Sequence, residues 1–235
     1  MNTSEQIPSM PIKNVVLVHG AWADGSSWSK VIPLLLAKGL NVVCAQHPLS
    51  SLDEDVAATN RIVNAQDGPV LLVGHSYGGA IITVAGENPK VAGLVYVAAF
   101  APDKGETLAG MAEPYGPTPA FAELMPIEDG FLLLTAKGIA EDFAQDLTPE
   151  EHKLLAVTQG ATQGAILGTT IPLAAWHSKP SWFVVAENDR TISPEQEKAT
   201  AARMGAKILT LPTSHVAMLA KPNEVAEFIY AATQP

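Results

Sequence analysis

A short apolar run, Val70-Leu71-Leu72-Val73, leads without a break into Gly74-His75-Ser76-Tyr77-Gly78-Gly79, and a stretch of small and β-branched residues follows. This junction constrains the chain more than any other segment. An uninterrupted apolar run suits a strand buried on both faces. A serine flanked by glycines two residues away on each side suits a sharp strand-to-helix turn. There the glycines let neighbouring backbone approach, and the serine side chain projects above the sheet. As a bare pattern G-x-S-x-G carries little information. Here strand, turn and helix come in the order that the turn requires.

The same rhythm runs through much of the chain. Val15–Val18 is another continuous apolar run, followed by a glycine-bearing loop and a helix over about Ser27–Lys38 that Gly39 closes. Pro33 inside that helix predicts a kink or a late start. Asn41–Cys44 reads as a strand, and Ser51 with Glu54 as the capping box of a helix reaching about Gln66. The helix after Ser76 is expected to end near Asn88-Pro89. Gly93–Ala99, Trp182–Ala186 and Lys207–Leu211 read as further strands. Ser193-Pro194 opens a helix that Gly205 stops, and Pro222 opens a last one with Val225, Phe228, Ile229 and Ala232 on one face. Strands alternating with helices predict an α/β fold with a mostly parallel central sheet flanked by helices. Residues 101–179 break the rhythm, with prolines early and helical stretches around Ile139–Asp146 and Pro149–Gln159. The expected organisation is a single domain over 1–235, with a core of 12–100 and 180–235 and a helical lid insertion at 101–179.

A serine hydroxyl is a weak nucleophile at neutral pH and needs a base. Of the six histidines, His215 directly follows the last strand. That places it at the carboxyl edge of the sheet, the edge that carries Ser76. His75 and His19 read as structural, and His47, His152 and His177 fall in loops or the insertion. The orienting acid should lie between serine and histidine in the chain. Asp189, just past the fifth strand, is the leading candidate; Asp103 is its main rival and Glu187 a weaker one. Backbone N–H donors for an oxyanion are expected from Tyr77, the residue after the serine, and from the loop after the first strand, at Ala21.

Val16-Leu17-Val18-His19-Gly20-Ala21-Trp22, Gly74–Gly79, Glu187-Asn188-Asp189-Arg190 and Ser214-His215 together resemble the α/β-hydrolase superfamily. Their spacing is similar to the branch that holds plant methylesterases, hydroxynitrile lyases and bacterial esterases. The resemblance implies a Ser76–Asp189–His215 triad, an oxyanion hole of the Ala21 and Tyr77 amides, no metal and no organic cofactor. The resemblance fixes the machinery and not the substrate; with an apolar expected lining and no lysine or arginine aimed at a substrate carboxylate, hydrolysis of a small or medium neutral carboxylic ester through an acyl-enzyme is expected. Lyases of that branch carry lysine after the catalytic histidine and threonine after the first-loop histidine; here those positions hold Val216 and Gly20. Cyanohydrin cleavage and cofactor-free oxygenation, which share the triad, are the alternative chemistries, and a non-catalytic small-molecule receptor is the alternative class. The expected pocket lining is Trp22, Phe100, Met125, Trp176 and Met218.

Composition narrows the partners. The net charge of −10 makes nucleic acid and anionic membranes poor partners, leaving a small-molecule ester and, as an open matter, a second copy of the chain in a homodimer. Hydrophobic residues make up 47% of the chain, enough for one large core. The single cysteine, Cys44, excludes an internal disulfide. Met1–Lys13 is polar and contains Pro8 and Pro11, unlike a signal peptide, so a cytoplasmic location is expected.

Overall fold

The computed structural model describes residues 11–234; the polar stretch 1–10 lies outside them. Among the described residues the strands are, in chain order, β1 (Asn14–Val18), β2 (Asn41–Ala45), β3 (Val70–His75), β4 (Val91–Val97), β5 (Leu124–Pro126), β6 (Phe131–Leu134), β7 (Thr162–Gln163), β8 (Ser181–Ala186) and β9 (Lys207–Leu211). Six of them form one parallel sheet in the order β2-β1-β3-β4-β8-β9. Helices Leu52–Asn64, Gly78–Ala85, Pro194–Arg203 and Pro222–Ala232 flank it, as the alternating pattern requires.

The central strands are fully buried: Val15–Val18 and Leu71–Val73 have no exposed surface. Each such Val or Leu contributes about 1.5–3 kcal/mol relative to an exposed one, so the apolar runs hold the sheet. The chain moves from β1 outward to β2, then returns to β3 on the other side of β1. That reversal opens a crevice at the carboxyl ends of β1 and β3, where folds of this class bind ligands. The register Val18↔Gly74 places the loops carrying His19 and Ser76 side by side there.

Several local expectations hold. The helix containing Pro33 starts late, at Ile32, behind a separate 3₁₀ turn at Gly25–Trp28, and Gly39 closes it at φ 75°. Ser51 caps its helix by accepting from the Glu54 amide at 3.3 Å. The reciprocal half of that box is missing, because the Glu54 carboxylate accepts from the Ser50 hydroxyl instead. The helix after Ser76 is regular to Ala85 and tightens into i→i+3 bonds that reach Asn88.

The insertion between β4 and β8 carries short helical segments, as expected, and a small sheet besides. It contains the antiparallel sheet β5-β6-β7. Asp129 and Gly130 both take positive φ, 57° and 77°, and turn β5 into β6. Asp-Gly is a strong hairpin signal, but the leucine run of Phe131–Leu134 lacks the alternation that marks a half-buried strand. Pairing with Leu124–Pro126 and Thr162–Gln163 therefore decides its conformation. The Ile139–Asp146 stretch is a short α-turn continued by a π-turn, Ala136–Gly138 and Ile139–Phe143, and the later helix is Pro149–Thr158. Thr148 and Glu151 form the full capping box of that helix.

Candidate active site

Ser76 sits directly after β3 with φ 55°, a left-handed conformation that costs a non-glycine residue about 1–3 kcal/mol. Its surroundings over-determine it. The Ser76 N–H donates to Val97 O at 3.3 Å, and Ser76 O accepts from Gly79 N at 3.0 Å and Phe100 N at 3.1 Å. A Cβ at Gly20 would lie 2.6 Å from Ser76 Cβ, and one at Gly78 would lie 2.5 Å from Val18 O. The glycines thus allow the first-strand loop to close against the turn. Ser76 is 4% exposed.

His215 lies in the loop after β9, three strands away from β3. That loop folds back across the carboxyl edge until His75 Nε2 donates to the His215 carbonyl at 2.9 Å. His215 Nδ1 meets Asp189 Oδ2 at 2.5 Å, and both side chains are fully buried. Asp189 Oδ1 also accepts from the Thr191 and Ile192 amides at 2.6 and 2.9 Å. His215 Nε2 is buried and has no hydrogen-bond partner. The rival acids are elsewhere: Asp103 pairs with the exposed His177 at 2.9 Å, and Glu187 points to solvent. The Asp103 carboxyl lies below the ordinary range, through its His177 and Lys104 bonds acting against the cost of burial.

The Ala21 and Tyr77 amides flank this region, and neither donates to a protein acceptor among the described residues. The Tyr77 hydroxyl donates to Asp55 Oδ2 at 2.7 Å, while Asp55 Oδ1 accepts from Leu49 N at 2.8 Å. His47 stacks on His19 at 3.8 Å and donates Nε2–H to the His19 carbonyl at 3.0 Å. Burial first, then His47, lowers His19 to about 3, so it stays neutral. His75 is also held well below its ordinary value by burial, then by His215. Burial pushes the Cys44 thiol up to about 11, which removes it as a rival nucleophile at neutral pH.

Sequence reasoning missed how the insertion grips the site. Phe143 packs on His215, ring centroids 5.0 Å apart, and Asp146 Oδ2 accepts from Ser214 N at 2.7 Å. Arg190, next to Asp189, pairs with Asp142 at 2.7 Å. Thr162 Oγ1 accepts the Trp22 N–H at 3.1 Å, next to Ala21. No local pattern marks these residues; they act through tertiary placement.

A cavity of about 360 Å³ is lined by residues that include Phe100, Leu108, Phe121, Leu167, Thr191 and Gln196; Ser76 and His215 do not border it, and it adjoins the site through Phe100, whose amide bonds Ser76 O, and Thr191, whose amide bonds Asp189. Phe100, one of the residues expected to line a pocket, borders it. Met125 is 43% exposed on β5, Trp176 packs beneath Pro102 and donates to its carbonyl at 3.0 Å, and Met218 and Trp22 are buried in the core. No lysine or arginine lines the cavity, and Glu113 is its ionisable residue.

A parallel six-stranded sheet with a left-handed serine at the end of β3 defines an α/β fold whose ligand crevice lies at the β1/β3 reversal. The chain belongs to the alpha/beta hydrolase family, whose match covers residues 15–228. It is similar to a carbendazim hydrolyzing esterase of Nocardioides sp. (strain SG-4G), 27% identical over 93% of this chain and 98% of that one. It is 24% identical to methylesterase 8 of Arabidopsis thaliana, over 93% and 89% of the two chains. The crystal structure of a pyrethroid hydrolase from Sphingobium faniae JZ-2 superposes with a TM-score of 0.80, at 24% identity, over 94% of this chain and 97% of that one. The methylesterase-like resemblance of the motifs therefore extends along nearly the whole chain. No helix among the described residues is long and apolar enough to cross a membrane.

Proposed function

We propose that the chain is a serine esterase that cleaves a small or medium neutral carboxylic ester through an acyl-enzyme. The observation that carries this reading is the buried Asp189–His215 pair, with Nε2 unpartnered, on a loop that is bonded through the His215 carbonyl to His75, the residue before a serine held at positive φ. Ser76 Oγ attacks the ester carbonyl carbon while His215 Nε2 takes its proton. The Asp189 carboxylate holds the Nδ1–H tautomer and stabilises the imidazolium. The negative oxygen of the tetrahedral intermediate accepts from the Ala21 and Tyr77 amides. The carbon–oxygen bond to the alcohol breaks, and His215 returns the proton to the leaving oxygen. Water, deprotonated by the same imidazole, then hydrolyses the acyl-serine and frees the acid. The ester-hydrolase names of the relatives support the substrate class. The mostly apolar cavity and its carboxylate, Glu113, favour a neutral over an anionic substrate.

Incubation with a fluorophosphonate and peptide mapping tests the reading. The expected adduct is on Ser76, with p-nitrophenyl acetate hydrolysis lost in Ser76→Ala. An adduct on another residue, or full activity in Ser76→Ala, refutes it.

A further inference from the structure

Behind Asp189 lies a second carboxyl group that the proposed reaction does not use. Glu197, on helix Pro194–Arg203, has no exposed surface. Its Oε2 accepts the N–H of Ala186, the last residue of β8, at 2.9 Å. Its Oε1 is buried without a hydrogen-bond partner, and Asp189 is the ionisable neighbour that bears on it most strongly. The Asp189 N–H donates to the carbonyl of the same Ala186 at 3.3 Å, so both buried carboxyl groups gather at the end of β8, and two neighbouring carboxylates in a dry interior cannot both ionise. The donors decide which holds the proton. Asp189 accepts three, from Thr191, Ile192 and His215, whereas Glu197 accepts one.

We propose that Glu197 is a positioning residue for this site: as a neutral acid it donates its O–H to the Asp189 carboxylate and so fixes the group that orients His215. A carboxylate has about four acceptor positions. Asp189 Oδ1 already accepts two amides and Oδ2 accepts His215 Nδ1, leaving one position, on Oδ2, for Glu197. The proton on Oε1 also supplies the partner which that buried oxygen otherwise lacks. Burial and the Asp189 charge both push the Glu197 carboxyl well above the usual range, with Lys198 on the same helix opposing weakly. The inference rests on the roles proposed above for Asp189 and His215.

Infrared spectroscopy at neutral pH tests it without reference to turnover. The full-length protein should show a protonated-carboxyl C=O band that disappears in Glu197→Gln. The amide of Glu197→Gln has the same shape and keeps both a donor and an acceptor, so it should largely rescue function. With p-nitrophenyl acetate, Glu197→Gln should lose about threefold in kcat and Glu197→Leu about a hundredfold, with KM little changed in both. If Glu197→Leu does not fold, the infrared band and Glu197→Gln still decide. Absence of the band overturns the proposal. So does a Glu197→Gln as impaired as Glu197→Leu, or a Glu197→Leu that folds with wild-type kcat. Activity surviving in Ser76→Ala would instead refute the esterase mechanism and leave the infrared result standing.

Discussion

The imidazole of His75 donates from Nε2 to the backbone carbonyl of His215 at 2.9 Å, joining the residue before the serine to the base itself. The two rings lie 4.7 Å apart, and both side chains are fully buried. Through this bond the end of β3 and the loop after β9 are held in register across two intervening strands. His75→Ala should leave the His215 carbonyl without its donor, at a cost of about 1–3 kcal/mol. We expect a lower Tm and a kcat reduced about tenfold or more, measured by thermal denaturation and p-nitrophenyl acetate turnover. Wild-type kcat in His75→Ala would show that the base is placed without this tether.

Asp189→Asn should lower kcat by about 10⁴, because the amide favours the wrong imidazole tautomer. Asp103→Asn should change it by no more than about twofold, since its partner His177 is exposed and exposed pairs contribute little. Steady-state kinetics on both variants separates the two acids. A crippled Asp103→Asn with a mild Asp189→Asn would reverse the assignment.

Tyr77→Phe removes the 2.7 Å bond to buried Asp55 and should destabilise the protein by about 1.5–3 kcal/mol. Asp55→Ala should cost more, because the Leu49 amide loses its acceptor as well. Urea titration gives both values. Equal and negligible losses would mean that this network does not hold the turn.

Thr162→Val removes the acceptor of the Trp22 amide while keeping the side-chain shape. Loosening the loop that carries Ala21 should weaken oxyanion binding and lower kcat by about tenfold or less, with KM changing less. An effect on KM alone would assign Thr162 to substrate access instead.

Acid should destabilise the fold. The lowered values of His19 and His75 mean that the unfolded chain, with histidines near 6.5, binds protons that the folded chain excludes. Their stabilisation is present above 6.5 and is lost as pH falls toward the folded values. Glu197 has the opposite sign: its raised folded value means that the fold keeps a proton which the unfolded chain releases above about 4.5. Two protons against one leave a net loss of about 1.4 kcal/mol per pH unit between about pH 6 and 5. Urea midpoints across that window measure it, and Glu197→Gln should be steeper by one proton. A flat profile would contradict the buried neutral histidines.

The strands of the main sheet, the turn at Ser76 and the order serine, acid, histidine were legible in the sequence. Each rests on a local signal: Leu71-Leu72-Val73 must be buried on both faces, Gly74 and Gly78 allow the turn, and Asp189 and His215 each follow a recognisable strand. Burial of apolar runs and backbone sterics act over a few residues, so a linear reading captures them. The sequence favoured Asp189 over Asp103, but only the tertiary structure brings Asp189 against His215 and leaves Asp103 with His177, because that depends on which loops meet across the sheet edge. The tertiary structure also turned Phe131–Leu134 into a strand, brought Phe143 and Asp146 against the His215 loop, moved Met125 to the surface, and set Glu197 behind Asp189. In each case the deciding energy is a contact between segments far apart in the chain, and neither segment carries its trace alone.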